Sequence, residues 1–598
     1  MWEEMPVLQI RLLASIMAVI HSPVFTPLRL MLISKKPVMK KSKLTIYHYM
    51  CLLATVLLVS CAKDFLRRPP KDAIVDASFY KNDDQVMAAT ALLYSKVWFD
   101  YNGRSAISLG DFRAGTAYSA WNDKDNVEFN TTGNTTANGD SWRSFFIVVG
   151  QSNLAIANIN KYAGPEVSAS VKKMAIAEAR FMRALAYRYL VMNWGEVPII
   201  EDNQKLVSDT SLRKNTIPSV WKFIISEMRA LAEDLPETPA REGRITKYTA
   251  EGMLARFYLT RAGVGANGSG ARNQTDLDSA KYFAQQVITK SSYKLLKSYY
   301  DLFLFPYDNN SESMFSLQWA YAPGDWGAAN AAPSDLNYDN KMCNGDGWGG
   351  DKGATWWVIS KYEGMVNYGD TLISGRTLDQ RLKTTFFMPG AYYPEITQKL
   401  PDGTTPKLIF PYVTGDNNFL NIKKYVIGRA ADVGGQAAQQ NYPNDTYMMR
   451  LSEMYLIYAE AALGNNASTS DATAVEYFNT IHTRAGLPEY QKPLTADVIF
   501  NERIVEFAME GMAWYDLVSL HYYNKAKTYE ILNSQDRGLF ATAPDKMPDP
   551  TSWKCVKTSW ASFRKIVAND GNFRIPIPTA ELSQAPNLKK EAVDYYAK

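Results

Sequence analysis

The stretch "MAIAEARFMRALAYRYLVMNW" at 174–194 decides the architecture. Ala177, Phe181, Ala184 and Leu185 recur at helical spacing and fall on one face. A partner helix reads just upstream in "SWRSFFIVVGQSNLAIANI" (141–159). Downstream, the same texture continues through "PSVWKFIISEMRALAEDL" (218–235) and "TKYTAEGMLARFYLTRAG" (246–263), where Ala250, Leu254, Phe257 and Tyr258 repeat the stripe. "DLDSAKYFAQQVITK" (276–290) closes this first block. A second block holds "RLSEMYLIYAEAAL" (450–463), "DATAVEYFNTIHTRAG" (471–486) and "VIFNERIVEFAMEGMAWYDLV" (498–518).

The two blocks echo each other. Ala280, Phe283 and Val287 stand at the same offsets as Ala474, Tyr477 and Ile481, each set following a small-residue helix and an Asp/Thr-rich turn. Repeats of this helix-turn-helix kind stack into tetratricopeptide-like arrays. The predicted fold is therefore mainly α, with a helical scaffold at about 79–97, 141–290 and 446–520. Prolines 69 and 70 forbid an earlier start to the first of these helices. The segments 98–140 and 300–445 differ in texture, being rich in Gly, Asn, Asp, Trp and Tyr with short apolar runs such as "MFSLQWA" and "KLIFPYV". Long irregular insertions on a rigid scaffold commonly carry function, so this loop-rich lobe is the expected ligand face.

The N-terminus reads as an export signal. "MKKSK" (39–43) precedes the short apolar run "YMCLLATVLLVS" (49–60), which falls short of the roughly 20 residues that span a bilayer. "LLVSCAKD" (57–64) resembles a bacterial lipobox, in which Cys61 would become the acylated first residue. Two or more acyl chains hold a protein stably at a membrane. Residues 1–60, including the apolar "LLASIMAVI" ahead of Met39, are expected to be removed, leaving 61–598 as one body.

Composition narrows the function. Residues 1–60 hold seven of the 65 Lys and Arg and two of the 61 Asp and Glu, so the remainder carries 58 basic against 59 acidic side chains. That balance gives no nucleic-acid footprint. Beyond residue 60 only His482, His521, Cys61, Cys343 and Cys555 remain of their types, which excludes histidine-rich metal clusters and CxxC sites. Whether Cys343 and Cys555 pair is open. Fourteen Trp and 36 Tyr instead suit a binder built on flat amphipathic rings.

Six segments then carry a specific resemblance: "AEARFMRALAYRYLVMNWGEVPII" (177–200), "GRITKYTAEGMLARFYL" (243–259), "YYDLFLFPYDNNSESMFSLQW" (299–319), "RLSEMYLIYAEAAL", "NERIVEFAMEGMAWYDLV" (501–518) and "FRIPIPTAEL" (573–582). In order and spacing they resemble the SusD/RagB family of Bacteroidetes outer-membrane lipoproteins. The resemblance implies tetratricopeptide-like helix pairs packed against a larger irregular lobe with a few short strands. It also implies a lipid-anchored cell-surface protein that captures glycans, or peptides in some branches, and passes them to a SusC-like TonB-dependent transporter. "CAKD" is similar to the family's surface-export tag, although Phe65 stands where a second acid is preferred.

Sugars present an apolar C–H face and a rim of hydroxyls, so their sites want an exposed ring beside amide, acid or guanidinium partners. "GDFRAGTAYSAWN" (110–122) offers Tyr118, Trp121 and Asn122, where the starch-binding member of the family places part of its aromatic arc. "YAPGDWGAAN" (321–330) and "NGDGWGGDKGATWW" (344–357) add Tyr321, Trp326 and Trp348, whereas Trp356 and Trp357 lead into "VISKYE" and read as core. Glu502, Arg503, Glu506 and Glu510 in the helical block pair at helical spacing and read as braces, as do Arg180 and Arg183. Asp123, Asp125 and Glu128 leave a structural calcium ion open, without the spacing of a calcium loop, and no other cofactor is expected. A surface glycosidase, needing two carboxylates about 5 to 10 Å apart, and a peptide-capturing member of the same family are the competing readings.

Overall fold

A computed structural model describes residues 79–119, 123–206, 211–375, 378–411, 420–546, 549–558 and 563–597. The export signal, Cys61, Trp121 and Asn122 lie outside the described residues. The longer helices are α1 (Asp83–Ala91), α2 (Thr136–Tyr162), α3 (Ala169–Trp194), α4 (Ile217–Ala232), α5 (Lys247–Arg261), α6 (Gln274–Lys290), α7 (Leu451–Leu463), α8 (Ala472–Arg484), α9 (Ala496–Glu506), α10 (Ala513–Tyr523) and α11 (Lys525–Ser534). Among the described residues no helix is long and apolar enough to cross a membrane.

Short polar side chains start these helices where the sequence changes texture. Thr216 accepts from the Ser219 N–H at α4, Asn273 from Asp276 at α6, Asp471 from Ala474 at α8 and Thr495 from Val498 at α9. At α5 Thr246 and Thr249 cap each other reciprocally. Each such cap satisfies an amide that the helix cannot, contributing about 1 kcal/mol.

From α2 to α8 each long helix packs on the next, and α6 seats on α7 although more than 150 residues separate them. The α5–α6 and α7–α8 hairpins thereby stack, as their echo predicts: Ala280, Val287, Ala474 and Ile481 are all buried at the joint. In α3 the apolar stripe understates the burial. Every residue from Ala177 to Trp194 except Arg180 is buried, because α1, α2 and α4 cover the helix on several sides.

Among the described residues the strands are short: β1 (Ala117–Ser119), β2 (Ser313–Leu317), β3 (Lys352–Ala354), β4 (Met365–Asn367), β5 (Thr371–Ser374), β6 (Tyr392–Thr397) and β7 (Lys407–Ile409) in the irregular lobe, and β8 (Thr446–Arg450), β9 (Phe540–Lys546) and β10 (Asp549–Lys557) after it. All pair antiparallel: β1 with β3, β2 with β8, β6 with β7, and a four-stranded sheet in the order β4-β5-β10-β9. The runs "MFSLQWA" and "KLIFPYV" supply β2 and β7. Because β8 runs directly into α7, its pairing with β2 ties the lobe to the scaffold, and Phe315 of β2 sits edge-on to Phe181 of α3 with ring centroids 5.3 Å apart. One hydrophobic core accordingly includes residues of both regions.

Two expected boundaries need correction. The helix expected over 79–97 is broken before Asp83, where α1 starts under an Asn82 cap, and residues 446–450 form a strand rather than a helix. The segment 98–140, expected as loop, opens with buried π-helical turns at Tyr101–Ser105 and Ser108–Phe112. They dock on the turn after α9: a Cβ on Gly110 would lie 2.3 Å from the Gly511 Cα, so only glycine permits the approach. Asp111 locks the contact, accepting from Met509 N and Gly511 N, each at 2.9 Å, and from Thr116 Oγ1 at 2.8 Å. Glycine and aspartate read as loop residues in isolation but here serve a tight tertiary joint.

Candidate glycan-binding site

The carboxylates of the helical block are structural. Arg450, fully buried, donates to Glu312 at 2.8 Å, Glu506 at 3.0 Å and Glu510 at 2.8 Å. Arg484 adds 2.5 Å bonds to Glu312 and Glu506, and Glu502 lies 2.6 Å from Arg381 and 2.9 Å from His482 Nδ1. Burial pushes the Glu506 carboxyl up, but Arg484, Arg450 and Arg381 together outweigh it and hold it at about 2. Arg180 and Arg183 likewise converge on Glu227, at 2.7 and 2.5 Å. Every one of these acids is saturated by cations and buried, the opposite of a solvent-facing catalytic pair.

The lobe presents exposed rings. Trp348 is 45% exposed. Its neighbours explain why: a Cβ on Gly347 would fall 2.4 Å from the Asp339 carbonyl carbon, and one on Gly349 2.4 Å from that of Leu336. Two glycines thus press the backbone onto the 336–340 segment and leave the indole no interior to enter. The loop is pinned from within by Asp346, whose buried carboxylate accepts from Ser334, from Gln440 N at 2.9 Å and from Tyr442 Oη at 2.9 Å.

A polar rim adjoins this ring. Lys352, its side chain wholly buried, donates to Asp335 at 3.2 Å and Asp351 at 3.3 Å and reaches the Trp348 carbonyl at 3.5 Å. Asp335 is pushed up by burial, with Lys352 opposing and Asp123 and Asp351 adding to the rise. Asp123 itself is covered, accepting from Ser108 Oγ at 2.8 Å and Arg104 Nε at 3.3 Å, while the Arg104 side chain stays partly exposed. The antiparallel register places Ser119 of β1 opposite Lys352, with Ser119 Oγ 3.1 Å from Asp351.

A second patch lies on the 320–328 turn. Trp326 is 70% exposed, its ring resting edge-on against Phe99 at 5.2 Å, and Tyr321 beside it is 36% exposed. The exposed Lys96–Asp325 pair at 2.6 Å flanks the patch. Trp326 and Trp348 do not touch each other; both loops are tied to the 440–442 segment, through Asn441 and Tyr442.

Tyr118 departs from expectation. It occupies the middle of β1 opposite Gly353, is only 6% exposed and belongs to the core, in place of the exposed ring expected. Apolar alternation over three residues is too short to reveal that burial. Trp356 and Trp357 are buried as expected. Asp123 and Asp125 turn to Ser108 and Thr135 respectively, and among the described residues no group of three or more His, Cys, Asp or Glu side chains is arranged to hold a metal. Cys343 and Cys555 are both buried free thiols, burial pushing Cys343 up to about 12. Asp335, Asp351, Lys352 and Arg104 were not foreseen as site residues; for Asp351 and Lys352 the signal was adjacency to Trp348 in "GWGGDK".

Comparison with known proteins gives this geometry a context. Residues 309–596 match the SusD family, and residues 77–259 match the family described as "Starch-binding associating with outer membrane". A SusD-like protein of Bacteroides ovatus is 37% identical over 495 residues, covering 83% of this chain and 86% of its own. The starch-binding protein SusD of Bacteroides thetaiotaomicron is 25% identical over 59% of this chain and 65% of its own. A crystal structure with xylogluco-oligosaccharide superposes with a TM-score of 0.74 at 33% identity, covering 86% of this chain and 99% of that one. A laminarin-binding SusD-like protein shares the fold, with a TM-score of 0.57 at 21% identity over 84% of this chain and 98% of that one. The relatives' descriptions name carbohydrate binding and no catalysis. The helical array, the strand-tied lobe and identity across most of both chains lead to one conclusion: this protein belongs to the SusD family.

Proposed function

We propose that this protein is a non-enzymatic glycan receptor of the cell surface. The observation that carries the reading is Trp348, held outward by flanking glycines beside an acidic rim. Its ring would stack on the C–H face of a sugar, while Asp351 and the partly exposed Asp335 accept hydrogen bonds from sugar hydroxyls. Lys352, buried beneath them, donates to both carboxylates and orients them. Trp326 and Tyr321 supply a second stacking patch that a long or branched chain could reach. Trp121 and Asn122 are proposed to complete the arc.

The ligand class follows from the relative bound to a xylogluco-oligosaccharide: a branched β-glucan is the first candidate. Attachment through an acylated Cys61 and delivery of the captured glycan to a SusC-like TonB-dependent transporter complete the proposal. No cofactor enters it. Calorimetric titration with xylogluco-oligosaccharides, with a peptide digest as control, tests it. Saturable heat that disappears in Trp348→Ala supports the proposal. Heat from peptides alone moves the protein to the peptide branch, and release of reducing ends would make it a glycosidase.

A further inference from the structure

The scaffold contains a cavity that the glycan reading does not use. Its volume is about 290 Å³, and it lies among α3, α5, α7, α9, α10 and α11, with the partly exposed Asp497 and Lys527 forming its mouth. Four guanidinium groups line it: Arg188, Arg256, Arg272 and Arg503. Three have carboxylate partners. Arg256 is bidentate on Glu453, Arg272 donates to Glu460 at 2.7 Å, and Arg503 is bidentate on Asp516 at 2.7 and 2.9 Å.

Arg188 is the exception. It is 2% exposed, and no protein acceptor lies within hydrogen-bond distance of its Nε or Nη1. Its guanidinium is held over the rings of Tyr189 and Tyr515, at 5.0 and 4.6 Å to the centroids. Burial and the nearby Arg256 both press its pKa downward. Arg503 Nη1 and Arg272 Nε are likewise buried without a protein partner. The other buried guanidiniums without a carboxylate, Arg113 and Arg537, donate to backbone carbonyls instead, and each of the three inner carboxylates is already engaged. At the mouth Lys527 and Asp497 pair at 3.5 Å and cancel. The inner cavity therefore holds four cations against three anions, an excess of one positive charge in a space with room for several water-sized groups.

We propose that this cavity binds one small oxyanion, with Arg188 as its principal ligand. Guanidinium groups hydrogen-bond carboxylate, sulfate and phosphate through their planar fork, and Tyr189 and Tyr515 fix the Arg188 plane in advance. Two sources share the chemistry: a free inorganic oxyanion, or the carboxylate of an acidic sugar. The site is made of scaffold side chains alone, so it stands or falls independently of Trp348.

The test is titration of the purified protein with sodium sulfate, sodium phosphate, glucuronate and glucose at fixed ionic strength in chloride, followed by calorimetry and thermal melting. Saturable one-to-one binding of sulfate or phosphate, with a raised melting temperature, supports a free-ion site. Binding of glucuronate but not of glucose or the inorganic ions supports a sugar-acid site. Arg188→Met should weaken either by about tenfold or more, since it removes a charge-assisted donor, and should leave glycan titration unchanged. In the absence of oxyanion that variant should melt no lower than wild type; if it misfolds, Arg188→Lys, which keeps the charge but not the fork, serves instead and should also bind more weakly. No saturable binding by any of the anions, or undiminished binding in the variant that folds, overturns the proposal.

Discussion

Two sets of buried acids, one in the helical scaffold and one in the irregular lobe, are handled in opposite ways. In the scaffold Glu506, Glu502, Glu453 and Glu227 are each surrounded by Arg or His, and their carboxyls are held below the ordinary value despite burial. In the lobe the balance reverses. Burial pushes Asp445 up to about 8, with Asp308 adding to it, and Asp308 and Asp111 up to about 6, because their partners are mainly backbone amides and neutral side chains. The scaffold is braced by charge against charge, whereas in the lobe Asp111, Asp346 and Asp445 each gather two or more uncharged donors from distant segments. Such anchors fix a loop's shape without a regular element, which lets this lobe hold a tryptophan in solvent.

The comparison breaks most directly at Arg450. Arg450→Met strips Glu312, Glu506 and Glu510 of a shared cation, and should destabilise by about 3–5 kcal/mol or abolish folding, measured by urea unfolding. Tyr118→Ala should fall in a similar range, about 3–4 kcal/mol, because the side chain is core and not a ligand platform; a variant that keeps full stability and loses only binding would return Tyr118 to the site.

Opposite pH signs sharpen the contrast. Glu506 is depressed when folded, so its contribution is complete above its unfolded pKa of about 4.3 and is lost as pH falls through about 2. The destabilisation by Glu506→Gln should therefore be full at pH 6 and shrink below pH 4. Asp445 is raised, so its ionised form is disfavoured in the fold: lowering the pH from 9 to 4 should stabilise wild type relative to Asp445→Asn. Unfolding curves across that range check both, and slopes of the same sign would refute the contrast. The smallest effect is expected at Trp326→Ala, with stability changed by less than about 1 kcal/mol and glycan affinity lowered by about 1 kcal/mol, read by calorimetry.

The scaffold was legible because helical periodicity is local. Phe181 and Leu185 announce α3, and the offset match of Ala280 with Ala474 anticipates stacked hairpins. The lobe was legible only in outline. "GWG" around Trp348 pointed to an exposed ring since two glycines cannot bury it, and the structure adds the reason they are glycines. What stayed hidden depends on pairing across hundreds of residues: Asp111 on the 509–511 turn, Ser119 beside Lys352, Asp335 sharing that lysine with Asp351. No spacing in one chain encodes such meetings, which is also why Tyr118 read as a site residue.

The central claim is that the lobe captures a glycan through an outward tryptophan that the fold does not need. It is tested by measuring xylogluco-oligosaccharide affinity and urea stability together in wild type and Trp348→Ala. The account predicts affinity weakened by about 2 kcal/mol, roughly 30-fold, with stability changed by no more than about 0.5 kcal/mol. Undiminished affinity, or a loss of affinity that tracks an equal loss of stability, would contradict it.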